Sequence, residues 1–230
     1  MRVNIECDTP LCQDGCVSEV KRSYRGVSAD DRRDQRRRVL LEACLDLVGR
    51  AGTPAVTAES VSAEAKLTKR YFYESFIDRD AVLVAALDEL FTDVIAQIRD
   101  ASRRAEPAER ARVITEVVVA ALCSDPRRAR LYAESPAVPA LQSRREVAIT
   151  AVTNVIANDN PNAGPGDTVP RELVTRIFVA GGTDLVTSWI NGTLAADRAT
   201  LTEAIVAMGR TLDIAVASAA KHATTAGTAQ

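Results

Sequence analysis

Val56-Thr57-Ala58-Glu59-Ser60-Val61-Ser62-Ala63-Glu64-Ala65-Lys66-Leu67-Thr68-Lys69-Arg70-Tyr71-Phe72-Tyr73-Glu74-Ser75-Phe76 holds, in its last six positions, four of the chain's nine aromatic residues. Aromatics are scarce elsewhere, so Tyr71, Phe72, Tyr73 and Phe76 are more than general core filler. At about 100° per residue, Phe72 and Phe76 share one helix face, while Arg70 and Tyr73 point away from it. The phenylalanines are therefore read as anchors, and Lys69, Arg70 and Tyr73 as an outward face. A short helix built this way can hold cations rigidly against a phosphate backbone. The same pattern also suits an ordinary amphipathic surface helix. Residues 57–66 read as a second short helix, and the two meet at Lys66-Leu67 as a candidate helix-turn-helix.

The flanks favour the first reading. Residues 31–51 carry Val39, Leu40, Ala43, Cys44, Leu47, Val48 and Ala51 at helical spacing. Asp30 or Asp31 can cap that helix and Gly52 can end it. Thr57 suits the N-cap of the second helix, with Glu59 in its first turn. Thr68 can cap the third and Asp78 a fourth. One long helix, two short ones and a second long helix make a compact three-helix head on a stalk.

Over about residues 33–83 the chain resembles the tetracycline-repressor (TetR) family of bacterial transcription regulators. The matching parts are the long first helix ending at Gly52, then Val56-Thr57-x3-Val61-x3-Ala65-x-Leu67-Thr68, then Phe72-Tyr73-x2-Phe76-x2-Arg79-x3-Leu83, without gaps. The resemblance implies an all-α fold of about nine helices: a DNA-binding head over residues 28–78 and a helical effector-binding and dimerisation domain over 79–221. It implies that the helix at 68–76 enters the major groove. Thr57 and Tyr73 match positions that touch phosphate, and Arg79 matches a usual Lys at the start of the fourth helix. Thr68, Lys69, Arg70 and Tyr71 match positions that reach bases or nearby phosphates. Lys66 stands where the family often has Gly; a left-handed backbone there costs a non-Gly residue about 1 kcal/mol, so either a phosphate contact offsets it or the turn differs slightly.

The remaining sequence continues in helical pattern, and nothing reads as a strand. Helices are expected over 81–104, from Pro107 to about Cys123, from Asp125-Pro126 to about Ser135, from Pro139 to about Ala157, over 171–191 and from Thr200 to about Lys221. Residues 158–170 read as a loop by composition, 1–27 as a flexible extension and 222–230 as a disordered tail. Within the implied body, Phe91, Val94, Ile98, Leu122, Tyr132, Phe178 and Trp189 are candidates for an effector pocket. Gly181, Gly182, Val186, Ile205, Met208 and Leu212 are candidates for a dimer interface on the last two helices. Gly181-Gly182 inside an apolar helix costs roughly 1 kcal/mol per Gly relative to Ala, which close approach of a helix or room for a ligand would justify.

Charge is informative only by region. The whole chain is at −2 with a pI near 5.6. Residues 20–80, however, hold 13 Lys/Arg against 10 Asp/Glu, with Lys21, Arg22, Arg25, Arg32, Arg33, Arg36, Arg37 and Arg38 ahead of or within the first helix. Arg36 to Arg38 are expected to face phosphates or solvent. Cys7, Cys12 and Cys16 match no standard zinc or iron–sulfur spacing, and Cys44 and Cys123 read as buried small hydrophobes. The one His is His222, and no H-E-x-x-H, G-x-G-x-x-G, P-loop or G-x-S-x-G occurs, so an enzyme is not expected. No cofactor and no metal are expected. No transmembrane run or signal-peptide core is evident, and a cytoplasmic protein is expected. Its expected partners are a palindromic double-stranded DNA operator, a small, mainly apolar effector that releases it, and a second copy of itself. The alternative is a helix-turn-helix factor without an effector, architectural or redox-sensing through the N-terminal cysteines.

Overall fold

The computed structural model describes residues 28–158 and 171–211, and every regular element among them is helical. The order is α1 (Ala29–Ala51), α2 (Ala58–Glu64), α3 (Lys69–Ser75), α4 (Arg79–Arg104), α5 (Arg110–Ser124), α6 (Pro126–Glu134), α7 (Pro139–Asn158), α8 (Arg171–Ile190) and α9 (198–211). Single 3-10 turns lie at Thr53–Ala55, Pro107–Glu109 and Ser135–Ala137. The expectations for residues 1–27, 159–170 and 212–230, including Cys7, Cys12, Cys16 and Leu212, lie outside the described residues.

The helix ends follow local chemistry. Ser28, not Asp30 or Asp31, is the N-cap of α1: its Oγ accepts from the Asp31 N–H at 3.0 Å while Asp31 Oδ2 accepts from the Ser28 N–H at 3.1 Å. Two consecutive aspartates hid the serine two residues before the first of them. Gly52 ends α1 with φ 82°, a conformation that favours glycine. Thr57 caps α2, and Ser60 returns the favour by accepting from the Thr57 N–H at 2.9 Å. Lys66 follows with φ 54°, the only left-handed non-glycine among the described residues. Thr68 precedes α3 but makes no side-chain cap. Asp78 caps α4 by accepting from the Ala81 N–H at 2.8 Å. Pro107 opens a 3-10 turn, and α5 proper starts three residues later.

Packing makes one continuous core. In the head, Leu40, Cys44 and Val48 of α1 meet Val61 of α2 and Phe72 and Phe76 around α3. Val82, Leu83 and Ala86 of α4 join this cluster, and Leu87 and Leu90 carry it into the body. There α4 packs on α5 and α7, α7 on α8, and α6 on α1 and α8. Burial pushes the Cys44 thiol up to about 12, so it acts as a small apolar group. Cys123, by contrast, falls on the outward side of α5 and is exposed. No helix among the described residues is long and apolar enough to cross a membrane.

Candidate nucleic-acid interface and internal cavity

The outward face of the head is built from below. Phe72 is fully buried and Phe76 nearly so, their rings 5.8 Å apart. They fix the rotation of α3, which leaves Tyr73 59 % exposed and the Lys69 and Arg70 side chains 55 % and 84 % exposed. Thr57, Lys66 and Thr68 are exposed on the same head. Ile77, which sequence reasoning passed over, is 82 % exposed just beyond α3. Lys69 Nζ lies 3.0 Å from Glu59 and Arg70 Nε 2.9 Å from Glu74. Exposed pairs of this kind contribute little to stability, so an incoming phosphate can displace the carboxylates at small cost.

Arg36 and Arg37, expected to face phosphates or solvent, turn to α3 instead, and Arg33 joins them. Arg33 donates to the Glu74 carbonyl at 3.1 Å and Arg37 to the Ser75 carbonyl at 3.2 Å. Arg37 also covers the Phe76 ring at 4.4 Å, and Arg36 the Tyr71 ring at 4.7 Å. Cations placed on the last carbonyls of a helix favour its dipole, so Arg33, Arg36 and Arg37 brace α3 instead of standing free. Tyr71 is correspondingly half-buried against α1. Arg79 is also committed: Nε donates to the Val56 carbonyl and Nη2 to the Thr53 carbonyl, each at 2.8 Å, and Nη1 meets Asp80 at 3.0 Å. It clamps the segment before α2 onto the start of α4. The motif match marked the position, but the spacing gave no sign that backbone carbonyls would take the guanidinium.

The body holds a half-open cavity of about 100 Å³. Phe91, Val94, Ile98, Tyr132 and Phe178 line it. Leu122 instead fills the core nearby, and the Trp189 indole N–H donates to the Ala196 carbonyl at 2.9 Å, pinning the turn after α8. Gly182, Val186 and Ile205, read as interface residues, line the cavity from α8 and α9. Val186 and Ile205 are buried within the chain; their apolar face belongs to the chain's own core. Gly181 and Gly182 face Met208 and Ile205 of α9, where an added Cβ would sit at ordinary contact distances of 3.6 and 3.7 Å. The tight position is Gly209, unremarked in the sequence: a Cβ there would lie 3.0 Å from both Ala111 and the Phe178 ring. Arg145, also missed, reaches the cavity from α7 and covers the Tyr132 ring at 4.4 Å. Burial pushes the Tyr132 hydroxyl above its ordinary value, partly opposed by the Arg145 charge.

A polar seam ties cavity to head. α6 carries Tyr132 on the cavity side and Arg127, Arg130 and Glu134 against α1. Glu134 accepts from the Thr53 N–H at 2.6 Å and from Arg130 Nε at 2.7 Å, and Arg130 donates to the Gly49 carbonyl at 3.2 Å. Arg127 reaches Asp46 at 2.6 Å, Glu42 at 3.1 Å and Asp125 at 2.8 Å. Two glycines make room: a Cβ on Gly49 would fall 2.7 Å from Arg127 Cγ, and one on Gly52 2.8 Å from Glu134 Oε1. Burial works against the Glu134 charge, yet the Thr53 N–H and Arg130 hold its carboxyl below the usual range.

No family model matches this sequence, and no curated protein matches it. Solved structures do. A TetR-family transcriptional regulator from Streptomyces coelicolor is 16% identical, with 82% of this chain and 88% of that one covered and a TM-score of 0.66. A TetR-family transcription regulator from Marinobacter aquaeolei VT8 is 21% identical, with 76% and 94% covered and a TM-score of 0.55. Across most of its length, and at low sequence identity, the chain has the all-helical fold of TetR-family transcriptional regulators.

Proposed function

We propose that the chain is a ligand-responsive transcriptional repressor that binds a palindromic operator as a homodimer. The observation that carries this reading is the outward face of α3: Lys69, Arg70 and Tyr73 exposed on a helix whose rotation is locked by buried Phe72 and Phe76. Phosphates replace Glu59 and Glu74 as partners of the two cations, while Thr57, Lys66 and Tyr73 set the register on the backbone. Arg70 and Thr68 read base edges in the major groove.

The second copy docks on the outward face of α8 and α9. Leu173 and Ile177 of α8 are 54 % and 63 % exposed, one turn apart, beside exposed Ala180. Ala204 and Ala207 present a small-residue surface on α9. This face takes the place of Val186 and Ile205 in the interface. An effector in the cavity displaces Tyr132, and α6 passes the shift through Glu134 and Arg130 to Thr53 and Gly49, changing the head spacing.

The test is selection of bound sequences from genomic DNA by the purified full-length protein. A palindromic site is expected. Arg70→Ala should relax preference at one or two base pairs, and Tyr73→Phe should weaken all sites about equally. Binding no tighter than to bulk competitor would sink the reading.

A further inference from the structure

We propose that the cavity takes a compact carboxylic acid, with an apolar aliphatic or aromatic body, whose anionic end pairs with Arg145. This deepens the effector reading above and rests on it. The walls are aliphatic and aromatic, from Phe91 and Ile98 on α4 to Val119 on α5 and Phe178 on α8. Such walls exclude water and favour an apolar body. Arg145 breaks the pattern with a full positive charge.

Among the described residues that charge has no anionic partner. Arg145 donates to Thr187 Oγ1 at 2.9 Å; its other contacts, to the carbonyls of Tyr132 and Thr183 and to Ser135 Oγ, are stretched to 3.3–3.4 Å. All four are neutral acceptors, and the Tyr132 ring stacked on the guanidinium is neutral too. Among the described residues no carboxylate pairs with it. Its neighbour Arg144 shows the contrast, meeting Asp88 at 2.7 Å, as Arg112 meets Glu203 and Arg127 meets Asp46. The guanidinium sits at the edge of the apolar wall with its Nη atoms on neutral acceptors, and a ligand carboxylate would take over the stretched contacts as a charge-assisted pair.

The remaining polar groups of the wall do not compete for that role. The Thr115 and Thr183 hydroxyls donate to Ala111 and Ala180 carbonyls of their own helices at 2.7 and 2.8 Å. A cationic ligand would meet Arg145 as a like charge. Size sets the class further: the cavity, of about 100 Å³, is small, so the apolar body is compact. That fits a medium-length fatty acid or a benzoate.

The experiment is calorimetric titration of the full-length protein with octanoate, benzoate, 1-octanol and benzyl alcohol. At least one acid should bind the wild-type protein tenfold or more tightly than its matching alcohol, a difference of about 1.4 kcal/mol. Which acid wins separates a chain-shaped from a ring-shaped body. In Arg145→Gln the preference for acid should fall to threefold or less, with alcohol binding retained. The acid–alcohol comparison on wild type stands by itself, because Arg145 also ties α6 to α8 and its variant can lose structure. Alcohols binding as well as acids overturns the proposal and leaves the effector reading intact. An Arg145→Gln protein that folds and keeps the tenfold preference also overturns it. Failure of all four compounds to bind overturns this proposal and leaves the repressor reading to the DNA-selection test.

Discussion

Removing Glu134 tests the seam between α6 and the head. In Glu134→Ala the Thr53 N–H, on a residue 3 % exposed, loses its acceptor at 2.6 Å, and Arg130 loses its carboxylate at 2.7 Å. An unmet buried donor costs about 1–3 kcal/mol, and hydrogen bonds to charged groups carry about 1.5–3 kcal/mol. The two losses share one side chain and do not add in full, so about 2–3 kcal/mol is expected. At about 2–4 °C per kcal/mol for a chain of this size, Tm should fall by about 4–12 °C. Glu134→Gln keeps an acceptor and should lose about half as much. The pH dependence has a definite sign. Glu134 titrates below its ordinary value when folded, so its contribution is present above the unfolded carboxylate pKa and disappears as pH falls through the folded one. The Tm gap between wild type and Glu134→Gln should therefore be full at pH 7 and shrink toward pH 4. Differential scanning calorimetry across that range is the assay. A Glu134→Ala protein melting within 1 °C of wild type, or a gap that widens in acid, would refute the reasoning.

Arg79→Ala should lower Tm by several degrees, because the Val56 and Thr53 carbonyls lose their donor; an unchanged Tm with weakened DNA binding would return Arg79 to a phosphate-contact role. Ile177→Glu should give a monomer in analytical ultracentrifugation and lose operator affinity although the head is untouched, since one head makes half the contacts. Gly209→Val should cost about 1–3 kcal/mol in chemical denaturation by forcing atoms against Ala111 and Phe178.

The head was legible because its signals are local. Thr57 and Asp78 cap the helices next to them, and Phe72 and Phe76 share a face whatever lies beyond. The left-handed backbone at Lys66 followed from the resemblance, whose members often have Gly there, and not from the residues around it. What resisted were choices between partners. Periodicity marked one face of Val186 and Ile205 as apolar, but a buried stripe looks the same whether it meets its own chain or another. Nothing in the doublet Arg144-Arg145 tells the two apart; the rotation of α7 sends one to Asp88 and the other toward the cavity. Arg36 and Arg37 looked free for the same reason, because their aromatic partners lie more than thirty positions away. Gly209 carried no turn signal, and its need for space comes from α5 and α8.

The 26-residue helix α4 runs without a break from the clamp at Arg79 to the cavity wall at Ile98 and beyond. At about 1.5 Å per residue, those two positions are about 28 Å apart. Such a rod is a lever with its short arm against the cavity. A tilt of about 5° pivoting near Ile98 would sweep the Arg79 end through roughly 2.5 Å. Because Arg79 grips the carbonyls ahead of α2, the reading helix would travel with it. In a twofold dimer the two levers swing in opposite senses, doubling the change in separation. Successive major grooves on one face of DNA repeat about every 34 Å, so a displacement near 5 Å is a large fraction of a groove's width. In the proposed dimer, a cavity too small to reshape the molecule could thus still set the span between two reading heads.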